Sequence, residues 1–72
     1  MKVNKTQGVL YIFELLLSNE YIVKSNVIDE LEISDLTFKR YMQELRAFFA
    51  NFYLGYELVY NKVEARYYLK NN

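Results

Sequence analysis

Apolar residues recur along this chain at two different spacings, and the change from one to the other separates helical segments from strands. Between Thr6 and Ser18, the residues Val9, Leu10, Ile12, Phe13, Leu16 and Leu17 form a wide apolar stripe, expected to be buried. That spacing predicts a first helix over 6–18, with Thr6 as its N-cap and Gln7 and Glu14 facing outward. Ser18-Asn19-Glu20 interrupts the pattern, and the short β-branched run Tyr21-Ile22-Val23 leads into a second helix over about 24–32. Val27, Ile28 and Leu31 are its inward residues and Ser25 its one good capping side chain. Phe38, Met42, Leu45 and Phe49 then recur at helical spacing and predict a third helix over about 35–50. Ser34 is placed to cap it, and Asp35 suits the positive end of its dipole.

After Asn51 the pattern alternates. Tyr56-Glu57-Leu58-Val59-Tyr60 and Arg66-Tyr67-Tyr68-Leu69 are rich in β-branched and aromatic residues and predict an antiparallel hairpin over about 56–70, with Leu58 and Leu69 on its inner face. The connection is then Lys62 to Ala65, where the lack of Gly argues against a tight primed turn. The expected fold class is α+β: one domain over residues 1–72, three helices followed by a two-stranded antiparallel hairpin, the plan of a winged helix-turn-helix.

At 72 residues the chain buries only about 60% of the surface its unfolded form exposes, so every large apolar residue matters to its stability. Without Cys or His, neither disulfides nor the usual structural zinc sites reinforce it. Eight Tyr and five Phe supply packing instead, Tyr leaving a polar tip at the surface. The N-terminus lacks the basic and apolar pattern of a secretory signal and no segment approaches the length of a membrane span, so the expected location is cytoplasmic. Gly8 and Gly55 are isolated, which leaves no phosphate-cradling loop, and nothing in the sequence assembles a nucleophile, a base and an oxyanion site. The expectation is a protein that is not an enzyme and that uses no cofactor or metal.

With the apolar face of the third helix committed inward, Lys39, Arg40 and Gln43 are left outside, where such residues reach phosphates and base edges. Nine Lys and Arg balance nine Asp and Glu, so any affinity for nucleic acid requires the basic groups to be segregated onto one surface. If Lys5, Lys24, Lys39, Arg40, Lys62 and Arg66 share a side, double-stranded DNA is the expected partner. Asp29, Glu30, Glu32 and Asp35 cluster around the turn before the third helix and weigh the other way. With exposed aromatics such as Tyr53 and Tyr56 they suit a protein-binding surface, and the alternative function is a protein-interaction module without DNA binding, such as an antirepressor or an assembly adaptor. A homodimer through the first helix or the hairpin is expected under the DNA reading.

Leu31-Glu32-Ile33-Ser34-Asp35-Leu36-Thr37-Phe38-Lys39-Arg40, with Leu45 beyond it, resembles the Leu-Gly-Val-Ser-x-x-Thr-Ile-x-Arg motif of bacterial transcriptional regulators of the DeoR type, more closely those whose larger members carry a WYL domain. Tyr67-Tyr68-Leu69 resembles the Tyr-x-Leu ending of that family's wing. The resemblance covers nearly the whole chain and implies a bacterial, phage or plasmid regulator of transcription. It further implies that Ser34 and Thr37 touch the phosphate backbone, that Lys39 and Arg40 match the family's basic pair and that Lys62 lies at the wing tip; Lys24 completes the expected DNA-binding set. Three departures are visible: Glu32 in place of a turn Gly, where a left-handed backbone costs about 1 to 2 kcal/mol, Ile28 in place of an Ala, and Tyr41 in place of a frequent Asp beside the basic pair.

Overall fold

The computed structural model describes residues 3–19, 21–53 and 55–71. Along them run α1 (Lys5–Ser18), α2 (Lys24–Leu31) and α3 (Asp35–Phe52), followed by β1 (Tyr56–Asn61) and β2 (Arg66–Asn71). The fold is thus α+β, three helices and then a two-stranded antiparallel hairpin. Glu20, read as part of the break after the first helix, lies outside the described residues.

The helix starts differ from expectation at two places. Asn4, not Thr6, caps α1, its side-chain oxygen accepting from the Gln7 amide at 2.8 Å. A bond from the Gly8 amide to the Asn4 carbonyl extends the helix back by one residue. Ser25 does not cap α2. The N-cap is Val23, which makes no side-chain cap bond. Two hydrogen bonds join Ile22 to Tyr67 on β2 (N to O 2.8 and 2.9 Å) and hold the backbone extended up to that point. The helix therefore starts at once on the Val23 carbonyl and places Ser25 inside its first turn.

The α2 terminus is a left-handed cap at Glu32 (φ 56°, ψ 48°). The amides of Glu32 and Ile33 both donate to the Ile28 carbonyl. A non-glycine residue accordingly occupies the strained conformation anticipated for the turn. Three residues, Glu32 to Ser34, join α2 to α3.

The core gathers Ile12 and Leu16 of α1, Ile22, Val27 and Leu31 of the α2 region, Phe38, Tyr41, Met42, Leu45 and Phe49 of α3, and Leu58 of β1. The wide stripe on α1 is only half used. Leu10 and Leu17, expected to be buried, are exposed, because α1 turns the line Gly8, Ile12, Leu16 toward α3 and leaves its next face open. Tyr41 is buried rather than standing beside the basic pair. Its ring lies against Gly8, where a Cβ would come within 2.6 Å of it, so the glycine permits close approach of α1 and α3.

In the hairpin Leu58 pairs with Leu69 and Tyr60 with Tyr67. Asn61 organises the connection, its Oδ1 accepting from the amides of Val63 and Glu64 at 2.9 and 3.1 Å. Ala65, at φ 54°, takes the left-handed conformation at the end of this connection.

Phe38 is 1% exposed and its ring meets Tyr67 edge-on at 5.6 Å, so it joins α3 to the hairpin. Phe38→Ala is expected to destabilise the protein by about 3 to 5 kcal/mol, read from the midpoint of urea unfolding. A wild-type midpoint would show that this ring is not part of the core.

Candidate nucleic-acid interface

The inward commitment of Phe38, Met42, Leu45 and Phe49 fixes which side chains α3 presents to solvent. Helical spacing puts Leu36, Gln43 and Ala47 on the outermost ridge. Lys39 and Arg46 flank it on the side of α2 and the hairpin, and Arg40 flanks it on the other. The start of the helix is secured by Ser34, whose Oγ accepts from the Thr37 amide at 3.1 Å and donates to the Thr37 hydroxyl at 3.0 Å. Ser34 and Thr37 are thus engaged with one another at the head of the helix.

Beside the ridge lies a groove of ≈ 400 Å³ in which α2, α3 and β2 meet. Its polar lining is Lys24, Lys39, Arg46 and Asp35; its floor is Phe38, Met42 and Tyr67. A second depression, edged by Lys24, Ser25, Tyr60, Ala65 and Tyr67, continues this surface toward the hairpin turn. Lys24 Nζ stands 3.8 Å from Asp35 Oδ2, both side chains being well exposed, which makes a weak pair. Lys39 and Arg46 form no ion pair with any described residue.

The structure brings Lys24 and Lys39 together and sets Arg40 and Gln43 nearby on exposed α3. Lys62 stands apart in the hairpin turn. Two members of the expected basic set are engaged elsewhere. Lys5 bonds Glu44 at 3.1 Å between α1 and α3. Arg66 donates to Glu64 (Nε to Oε1 3.2 Å) and stacks 3.8 Å above the Tyr21 ring. Of the acidic cluster, Glu30 faces α1, accepting from the Tyr11 hydroxyl. That bond, with burial and the carboxylate charge adding to it, raises the Tyr11 pKa above its ordinary value. Asp35 alone among the four acids lines the groove.

Arg46 is the groove residue that sequence reasoning missed. Its position seven residues after Lys39, two helical turns along the same edge, was the available signal. Comparison of the chain with known protein families, curated proteins and solved structures gives no match, so any functional reading rests on this geometry and on the residues themselves.

The cap carries a direct expectation. Ser34→Ala removes the acceptor for the Thr37 amide and should lower stability by about 1 kcal/mol in urea titration. An unchanged midpoint would mean that the head of α3 is held by packing alone.

Proposed function

We propose that this chain is a winged helix-turn-helix domain that binds double-stranded DNA sequence-specifically, as a transcriptional regulator or its DNA-binding part. In this reading α3 enters the major groove and the hairpin rests on flanking phosphates. The observation that carries it is the convergence of Lys24, Lys39 and Arg46 on one groove beside the exposed ridge of a capped helix. Support comes also from the three-residue turn between α2 and α3 and from the pairing of Ile22 with the second hairpin strand, which draws the wing against the helices. Lys39, Arg46 and Lys24 supply phosphate-neutralising charge, Arg40 and Gln43 offer donors to base edges, and exposed Leu36 gives an apolar surface of the kind that meets a thymine methyl.

A second reading, the protein-interaction module, is favoured by one specific observation. Lys5, Lys24 and Arg66 each have a carboxylate partner, Glu44, Asp35 and Glu64 respectively, so half of the expected basic set is locally offset. The distinction is experimental. Lys39→Ala combined with Arg40→Ala leaves the core side of α3 intact and should weaken binding to a selected duplex by at least about a hundredfold, since each good contact is worth roughly 1 to 3 kcal/mol. A folded double variant that binds as tightly as wild type, or a wild type that selects no duplex from a random pool, would favour the interaction module.

Lys62 gives an independent check on the hairpin. Lys62→Ala should weaken binding about equally for all sequences and reduce the salt dependence by about one counterion. Unchanged affinity and slope would remove the hairpin from the interface.

A further inference from the structure

We propose that Arg66 is a positioning residue and not a nucleic-acid contact: by gripping Glu64 and lying on Tyr21 it fixes the hairpin turn, so that Lys62 is presented to phosphate on a preformed loop. The presentation of Lys62 rests on the DNA reading above; the ordering of the turn by Arg66 stands without it.

The connection Lys62 to Ala65 contains no Gly, yet Ala65 stands at φ 54°, a conformation that a side chain disfavours. Side chains hold it there. Asn61 Oδ1 accepts from two turn amides, and Asn61 Nδ2 donates to Glu64 Oε1 at 3.2 Å. Arg66 closes the loop from the second strand, its Nε donating to Glu64 Oε1 at 3.2 Å while Nη2 lies 2.5 Å from Oε2. A planar guanidinium makes this two-point grip and a lysine ammonium does not. Asn61 and Arg66 are the last pair of the ladder, so the grip begins where the backbone pairing ends.

The grip is anchored outside the hairpin. Antiparallel pairing of Ile22 with Tyr67 sets Tyr21 diagonally across from Arg66 on the face of β2 that points away from the core. Arg66 Cζ lies 3.8 Å from the centre of the Tyr21 ring. The guanidinium is therefore committed along one edge to Glu64 and across one face to Tyr21, and the Arg66 side chain is only 27% exposed. Lys62 and Val63 project from the turn instead. Val63 is 95% exposed, and Lys62 forms no ion pair with any described residue. A turn ordered in advance avoids the entropy of ordering it on contact, which is how a residue that touches no phosphate strengthens a phosphate contact made by its neighbour.

Two variants test this, each with and without duplex. Arg66→Lys keeps the charge and loses both the two-point grip and the ring contact; Glu64→Ala removes an acid from the turn that carries Lys62. Without DNA, nitrogen-15 relaxation should give the amides of 62–65 order parameters near about 0.85 in the wild type and below about 0.6 in both variants, with helical circular dichroism retained. With a selected duplex, both variants should bind about three- to tenfold more weakly, and Lys62→Ala should add little to either loss. The opposite outcomes are distinct, because a direct phosphate contact by Arg66 would largely survive as Lys, and simple loss of an acid would tighten binding. A mobile turn in the wild type, a turn equally rigid in both variants, wild-type affinity in Arg66→Lys or tighter binding by Glu64→Ala would overturn the proposal. A wild type that binds no duplex, with a turn that is rigid and loosens in the variants, would sink the DNA reading alone and uphold the ordering of the turn by Arg66.

Discussion

Burial of one face of α3 is the constraint from which the rest of the structure follows. Phe38, Met42, Leu45 and Phe49 are each almost wholly removed from solvent, and together they contact the cores of α1, α2 and the hairpin. Rotating the helix would expose two phenylalanines and bury charged Lys39 or Arg46, each a penalty large against the few kcal/mol that hold a domain of this size. The orientation of the basic edge is therefore set by packing on the opposite face. The Ser34 cap fixes where the helix begins, and the Ile22–Tyr67 pairing fixes where the hairpin lies beside it.

Strong periodicity made the elements legible. The α3 stripe, the Ser34 cap, the pairing of Leu58 with Leu69 and the Lys62–Ala65 connection all follow from local pattern, and the structure shows each of them. What the pattern could not supply depends on partners distant in sequence. Val23 begins α2 because β2 bonds Ile22, a fact invisible from residues 21–27. Leu10 and Leu17 look identical to Ile12 and Leu16 until the direction of α3 is known. Tyr41 is buried because Gly8, thirty-three positions earlier, leaves room for its ring. Within the candidate site, Lys24 and Lys39 were found from charge and context, whereas Arg46 lay beyond the motif that drew attention to the head of the helix.

The charge distribution is more divided than a simple basic face. Three cations are drawn to carboxylates: Lys5–Glu44 and Lys24–Asp35 are exposed pairs of small net strength that a phosphate could displace, whereas half-buried Arg66 holds Glu64 through both Nε and Nη2. The groove retains Lys39 and Arg46 without such partners among the described residues, and Glu30 turns toward Tyr11 on α1. On this account the molecule carries two surfaces of different chemistry. One is the groove beside α3, lined by Lys24, Lys39 and Arg46 together with Asp35; the other is the outer face of α1 and the end of α3, where Leu10, Leu17 and Phe52 are exposed.

The most direct test of the central claim is an amide-shift titration of the protein with mixed-sequence duplex at about 50 mM salt, where phosphate contacts are little screened. The account predicts progressive shifts at Lys24, Leu36, Lys39, Gln43 and Arg46, fading as salt is raised, with Leu10 and Leu17 unmoved. An unchanged spectrum at excess duplex, or shifts centred on the outer face of α1, would contradict it.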